Sequence, residues 1–109
     1  MSKVTGVEVA LRLVRTFESA KRRNIEFNMS FKRMKQLLNT KKCFFTGVDL
    51  NFDNPESDEY FTLDRLDASK GYTDCNVVAC GRGFNFRKGA ITAEDIELMY
   101  RALKKRKLI

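Results

Sequence analysis

The 109-residue chain has no histidine, one proline (Pro55), three cysteines and no long apolar run. Without histidine there is no imidazole to serve as a general base near neutral pH, no Cys–His nucleophile pair and no histidine ligand for a metal. Cys43, Cys75 and Cys80 are odd in number and irregularly spaced, which argues against a secreted disulfide framework and leaves reduced thiols as the expectation. No stretch approaches the roughly 18 to 20 apolar residues that span a bilayer. The opening MSKVTGVEVALRLVRTFE carries charges through its apolar part and has no small-residue cleavage site, so a cytoplasmic protein with no membrane partner is expected.

What is present is aromatic area and positive charge. Nine phenylalanines and a 43% hydrophobic content are enough for one core in a chain too short for two, so 1–109 reads as a single domain. The formal charge of +7 is unevenly placed: residues 1–42 hold eleven Lys/Arg against three Glu, and residues 43–63 hold five acids and no base. Residues 64–90 and 91–109 each carry five bases against three acids. A basic chain suits a polyanion, because each neutralised phosphate releases condensed counterions. Nucleic acid is therefore the favoured partner class.

Val7, Ala10, Leu11, Val14 and Phe17 recur at helical spacing and predict an amphipathic helix over about 4–23. Arg12, Arg15, Arg22 and Arg23 fall on another side of it, facing either phosphates or solvent. Asn28 or Ser30 can cap a second helix over about 31–40, with Phe31, Met34, Leu37 and Leu38 as its buried stripe and Lys32, Arg33 and Lys35 projecting outward. KKCFFTGVDL reads as a short strand and turn bending at Gly47, and NFDNPESDEY as a solvated acidic loop. Thr92 with Asp95 approximates a capping box ahead of an Ile96, Met99, Tyr100, Leu103 stripe, which predicts a terminal helix within 91–109. Its basic end, including Lys104, Lys105 and Arg106, suits the helix dipole or an external phosphate.

In the middle, Phe61–Leu66 alternates as a strand, Ser69, Lys70 and Gly71 form a turn, and Tyr72 starts a return segment closed by Asn76. The run after Asn76 reads as helical, with a turn over Cys80–Phe84 where Gly81 and Gly83 would loosen a helix. Arg82, Arg87 and Lys88 interleave with Phe84 and Phe86 as a basic cluster suited to a nucleic-acid backbone.

The phrases LDRLD, GYT, Asn76 and Asn85-Phe86-Arg87-Lys88 resemble the HNH, or His-Me finger, endonuclease family, in particular small phage-type members, over roughly 43–90. The resemblance implies an α+β fold with a ββα-metal-like core: a small hairpin followed by a helix, with helices on either side. It also implies Asp64 and Asn85 as ligands of Mg2+ or Mn2+, Asn76 as the brace of the hairpin loop, and Lys88 at a phosphate. The family's general-base histidine corresponds to Arg65, which cannot accept a proton from water near neutral pH but could hold the scissile phosphate. The structural zinc that the family often carries is not expected, since Cys43 and Cys80 have no Cys-x-x-Cys partners and Phe84 stands near a ligand position. The leading expectation is a protein binding nucleic acid, double-stranded DNA in the first instance, on a scaffold whose catalytic set Asp64, Arg65 and Asn76 lacks its base. The alternatives are a Mg-dependent endonuclease using Asp64 and Asn85 with a non-histidine base, and a phage-type protein that binds a host protein in the host cytoplasm.

Overall fold

In the computed structural model, which describes residues 4–109, the chain is α+β, with four helices and two small sheets. The order is α1 (Gly6–Arg22), β1 (Phe27–Asn28), α2 (Phe31–Leu38), β2 (Phe61–Arg65), β3 (Tyr72–Thr73), β4 (Val77–Gly81), α3 (Arg82–Lys88) and α4 (Ala93–Lys105). Residues 1–3 of the basic N-terminal part lie outside the described residues.

Local chemistry sets the helix starts. Thr5 and Glu8 form a reciprocal capping box on α1, Ser30 accepts from the Arg33 amide to cap α2, and Thr92 and Asp95 repeat the box on α4. The buried face of α1 is not the expected one. Val9, Thr16 and Ala20 are buried and Leu13 packs on the core, whereas Val7, Ala10, Leu11, Val14 and Phe17 are exposed. Small side chains on the inner face let α1 approach α2 and β1 closely, and the Thr16 hydroxyl is satisfied there by the Arg12 carbonyl at 2.8 Å. In α2, Met34 and Leu37 are buried and Leu38 half-buried, but Phe31 is exposed. Arg33, expected to point outward, folds back to donate to the carbonyls of Asp74 and Val77 and ties α2 to the hairpin.

The run after Asn76 is a strand, not a helix. β4 pairs antiparallel with β2 in a register that sets Asp64 opposite Val78 and Arg65 opposite Val77. All five residues of β4 are buried, so its polar alternation is lost and it reads in sequence like a short buried helix segment. The expected turn over Cys80–Phe84 is also absent: Gly81 ends β4 and α3 begins at Arg82. KKCFFTGVDL contributes only a bridge between Lys42 and Asp49 around a turn, in which Gly47 takes φ 73.

β1 pairs parallel with β3, Phe27 beside Tyr72. Gly71 is needed for this, since a Cβ there would lie 2.5 Å from the Glu26 carbonyl oxygen that accepts from the Tyr72 amide. α4 leaves this core behind: none of its residues is buried, and Ile96, Leu98, Met99 and Tyr100 are exposed. No helix among the described residues is long and apolar enough to cross a membrane.

Candidate nucleic-acid interface

The ββα element brings Thr62 and Asp64 of β2 to the same face as Asn85 and Lys88 of α3. Thr62 Oγ1 donates to the Cys80 carbonyl at 2.8 Å and accepts from Asn85 Nδ2 at 3.1 Å. One turn on, Lys88 Nζ lies 3.0 Å from Asp64 Oδ2, with the two side chains only 4% and 13% exposed. The ammonium also sits 5.2 Å from the Phe45 ring centroid. Asp64 Oδ2 is buried and takes no hydrogen bond of good geometry, so the Lys88 charge is what compensates it. Lys88 is thus not presented to an external phosphate.

These donors do not fit the divalent ion that the resemblance implies. Asp64 Oδ2 is already opposed by the ammonium, and Asn85 adds a single amide whose Nδ2 is spent on Thr62. Among the described residues no three His, Cys, Asp or Glu side chains converge to hold a metal. Cys43 and Cys80 meet in the core with sulfurs 3.7 Å apart. Burial works to raise the Cys43 thiol but is outweighed by hydrogen bonds from the Thr46 hydroxyl and from the backbone of Gly81, Thr46 and Phe45, which bring it to about 7. Burial first, then the Cys43 hydrogen bond and charge, push Cys80 up to about 12.

The remaining motif residues hold the hairpin connection together. Asn76 donates to the carbonyls of Asp67 and Gly71 and accepts from the Asp67 amide, a brace closed within ten residues. Arg65 donates to the carbonyls of Ala68 at 2.9 Å and Lys70 at 2.8 Å and lies over the Tyr72 ring. Arg82 bonds the carbonyls of Ser57 and Glu56, and Arg82 and Arg87 share Asp58 at 3.6 and 3.7 Å. Phe86 is exposed, while Phe84 packs on Phe45. The cations that the motif nominated are therefore largely engaged by the fold itself.

Cations without such partners gather elsewhere. A cleft of about 1190 Å3 opens between α1, α2 and the segment leading into β2, and its walls carry Arg12, Arg15, Lys32, Lys35 and Lys41. Among the described residues none of these five lies within ion-pair distance of a carboxylate. Glu8 and Asp53 also line the cleft, but the Glu8 carboxylate is held by the α1 cap, and the Thr5 backbone and side chain keep it below its ordinary range. The α1–α2 packing sets the spacing of the two basic walls. The floor is fixed by the Leu50 amide on the Lys41 carbonyl and the Phe61 amide on the Asn51 carbonyl, both at 2.8 Å. Of these cations only Arg12 and Arg15 were nominated from the sequence. Lys32 and Lys35 gave a faint signal as an i, i+3 pair on one helix face, whereas nothing local connects Lys41, Phe52 or Tyr60 to them.

The chain is similar to a phage protein. An uncharacterized 29.0 kDa protein of the dda-modA intergenic region of Enterobacteria phage T4 is 35% identical over 89 residues, covering 82% of this chain. The chain spans only 35% of that relative's length. No protein-family model matches the chain, and no solved structure matches it. Lys104, Lys105 and Arg106 stand exposed at the end of α4 and take no part in the cleft lining. Chemically, the arrangement offers a cationic cleft for an anion and, at the hairpin, an internally neutralised carboxylate with no imidazole beside it.

Proposed function

We propose that the protein binds nucleic acid through the cleft between α1 and α2, on a scaffold that resembles the HNH endonucleases without their hydrolytic chemistry. The observation that carries this reading is the convergence of five cations, without carboxylate partners among the described residues, on one cleft. Same-sign charges held this close repel one another and add nothing to folding, whereas a polyphosphate backbone neutralises them and releases its counterions. The non-hydrolytic half is supported by the Asp64–Lys88 pair and by the engagement of Arg65 with two loop carbonyls. The Asp64 carboxylate is opposed by an ammonium, the Arg65 guanidinium cannot accept a proton from water, and the chain has no histidine.

The test joins binding to cutting. Wild type should bind a labelled DNA oligonucleotide at low salt, and Lys32→Glu with Lys35→Glu should abolish most of that binding. Supercoiled plasmid should stay intact with Mg2+ or Mn2+. Unchanged affinity in the double variant would remove the cleft from the reading, and metal-dependent nicking that disappears in Asp64→Ala would replace binding by catalysis.

A further inference from the structure

We propose that the cleft takes a single strand of nucleic acid, its phosphates on the α1 and α2 cations and one base stacked on Phe52. This rests on the reading of the cleft as a nucleic-acid site and adds the strand form and the recognised group.

The five cations share their cavity with Phe52 and Tyr60. Phe52 is stacked on Phe61, with ring centroids 5.3 Å apart and planes 26° apart, yet it is still 39% exposed. One of its faces packs on Phe61, and the ring lines the cleft. Phe61 is buried, and the Arg12 guanidinium lies 5.4 Å from its centroid, so Phe52 rests on a fixed aromatic support. The backbone beneath Phe52 is fixed as well: Asn51 Oδ1 accepts from the amides of Asp53 at 3.0 Å and Asn54 at 2.7 Å, and the Asn51 amide donates to the Glu59 carbonyl. Burial lowers the affinity of the Arg12 guanidinium for its proton, Tyr60 opposes this and Arg15 adds to it, and a phosphate in the cleft would favour the charged form.

An exposed ring in a cationic cleft distinguishes the two strand forms. In a duplex the base faces are stacked on one another, so a protein meets phosphates and base edges only. A single strand offers phosphate charge together with free π-faces, and a pre-fixed ring beside a row of cations meets both at once.

The chain has no tryptophan, so Phe52→Trp installs a sole indole at the proposed contact. This variant would be titrated at low salt with oligothymidylate of about 15 nucleotides, with a blunt duplex of the same length, and with inorganic polyphosphate. Oligothymidylate is expected to quench the indole, and polyphosphate to compete for the cleft without quenching. In parallel, Phe52→Leu, which keeps apolar volume over Phe61, should weaken oligothymidylate binding by roughly 5- to 150-fold and leave polyphosphate binding unchanged. Binding of oligothymidylate with no quenching and full affinity in Phe52→Leu, or tighter binding of the duplex by wild type, overturns the single-strand inference and leaves the cleft reading standing. Absence of salt-sensitive binding to all three probes overturns both.

Discussion

At the scale of single residues, the pairing of Asp64 with Lys88 decides how the hairpin–helix element is read. Two opposite charges at 3.0 Å, almost closed to solvent, are far more strongly coupled than a surface pair, and removing one leaves the other buried and uncompensated. Lys88→Met is expected to destabilise the fold by about 3 to 5 kcal/mol. Asp64→Leu combined with Lys88→Met should recover most of that loss, because an apolar pair of similar volume carries no desolvation penalty. Urea unfolding of the two variants beside wild type measures both. A small loss in Lys88→Met would mean that the carboxylate finds solvent or another partner, and the site would then be open to a cation after all. Asp64 and Asn85 were nominated from the sequence only through the family resemblance, as metal ligands. That Lys88 neutralises Asp64 was not legible, because 24 positions separate them and only the packing of α3 on β2 brings the ammonium inward.

At the scale of elements, the two amphipathic helices with good caps at either end of the chain have opposite fates. α1 is packed through its small-residue face, and α4 buries nothing. Periodicity made α1 legible, and periodicity with the Thr92–Asp95 cap made α4 legible, since a capping box is closed within four residues. Periodicity alone could not say which face turns inward: the Val7, Leu11, Val14 stripe is the more apolar one, yet Val9, Thr16 and Ala20 face the core. An isolated helix of thirteen residues is marginal in water. Met99→Ala in α4 should therefore change global stability by less than about 0.5 kcal/mol, and α4 amides should exchange well before those of β4. Met34→Ala, at a fully buried side chain of α2, should cost about 2 to 5 kcal/mol. Hydrogen exchange and thermal unfolding check the contrast, and strong protection of α4 would show that it is packed in solution.

At the scale of the whole molecule, charge and shape are set by different parts of the chain. The radius of gyration is 15.2 Å and the extents are 50 × 33 × 23 Å, against about 13 Å expected of a compact chain of this length. This is the elongation that a helix with no buried residue produces. Some cations are engaged by carbonyls and carboxylates, five line the cleft with no carboxylate partner among the described residues, and others, Lys104, Lys105 and Arg106 among them, stand exposed elsewhere. If those five carry binding to a single strand, the logarithm of affinity should fall against the logarithm of salt with a slope near −3.5. Lys32→Glu with Lys35→Glu should bring the slope to about −2 or shallower. Anisotropy between about 50 and 200 mM salt measures it, and an unchanged slope would place the phosphate contacts outside the cleft.

The sequence by itself determined what is decided over a few residues: a helix over about 4–23, a second helix capped by Asn28 or Ser30, the start of α4 at Thr92, the strand into Arg65, the Asn76 brace of the hairpin turn, and the net positive charge. Capping, turn bracing and charge depend on neighbours three to ten positions away. Tertiary structure alone decided that β4 is a strand buried throughout, which face of α1 is inside, that Lys88 is sealed against Asp64, and that Lys41, Phe52 and Tyr60 share a cleft with Arg12 and Lys35. Those outcomes depend on which surfaces remain when distant segments pack. A side chain's type names what it can bond, but only its surroundings decide whether another part of the chain has already bonded it.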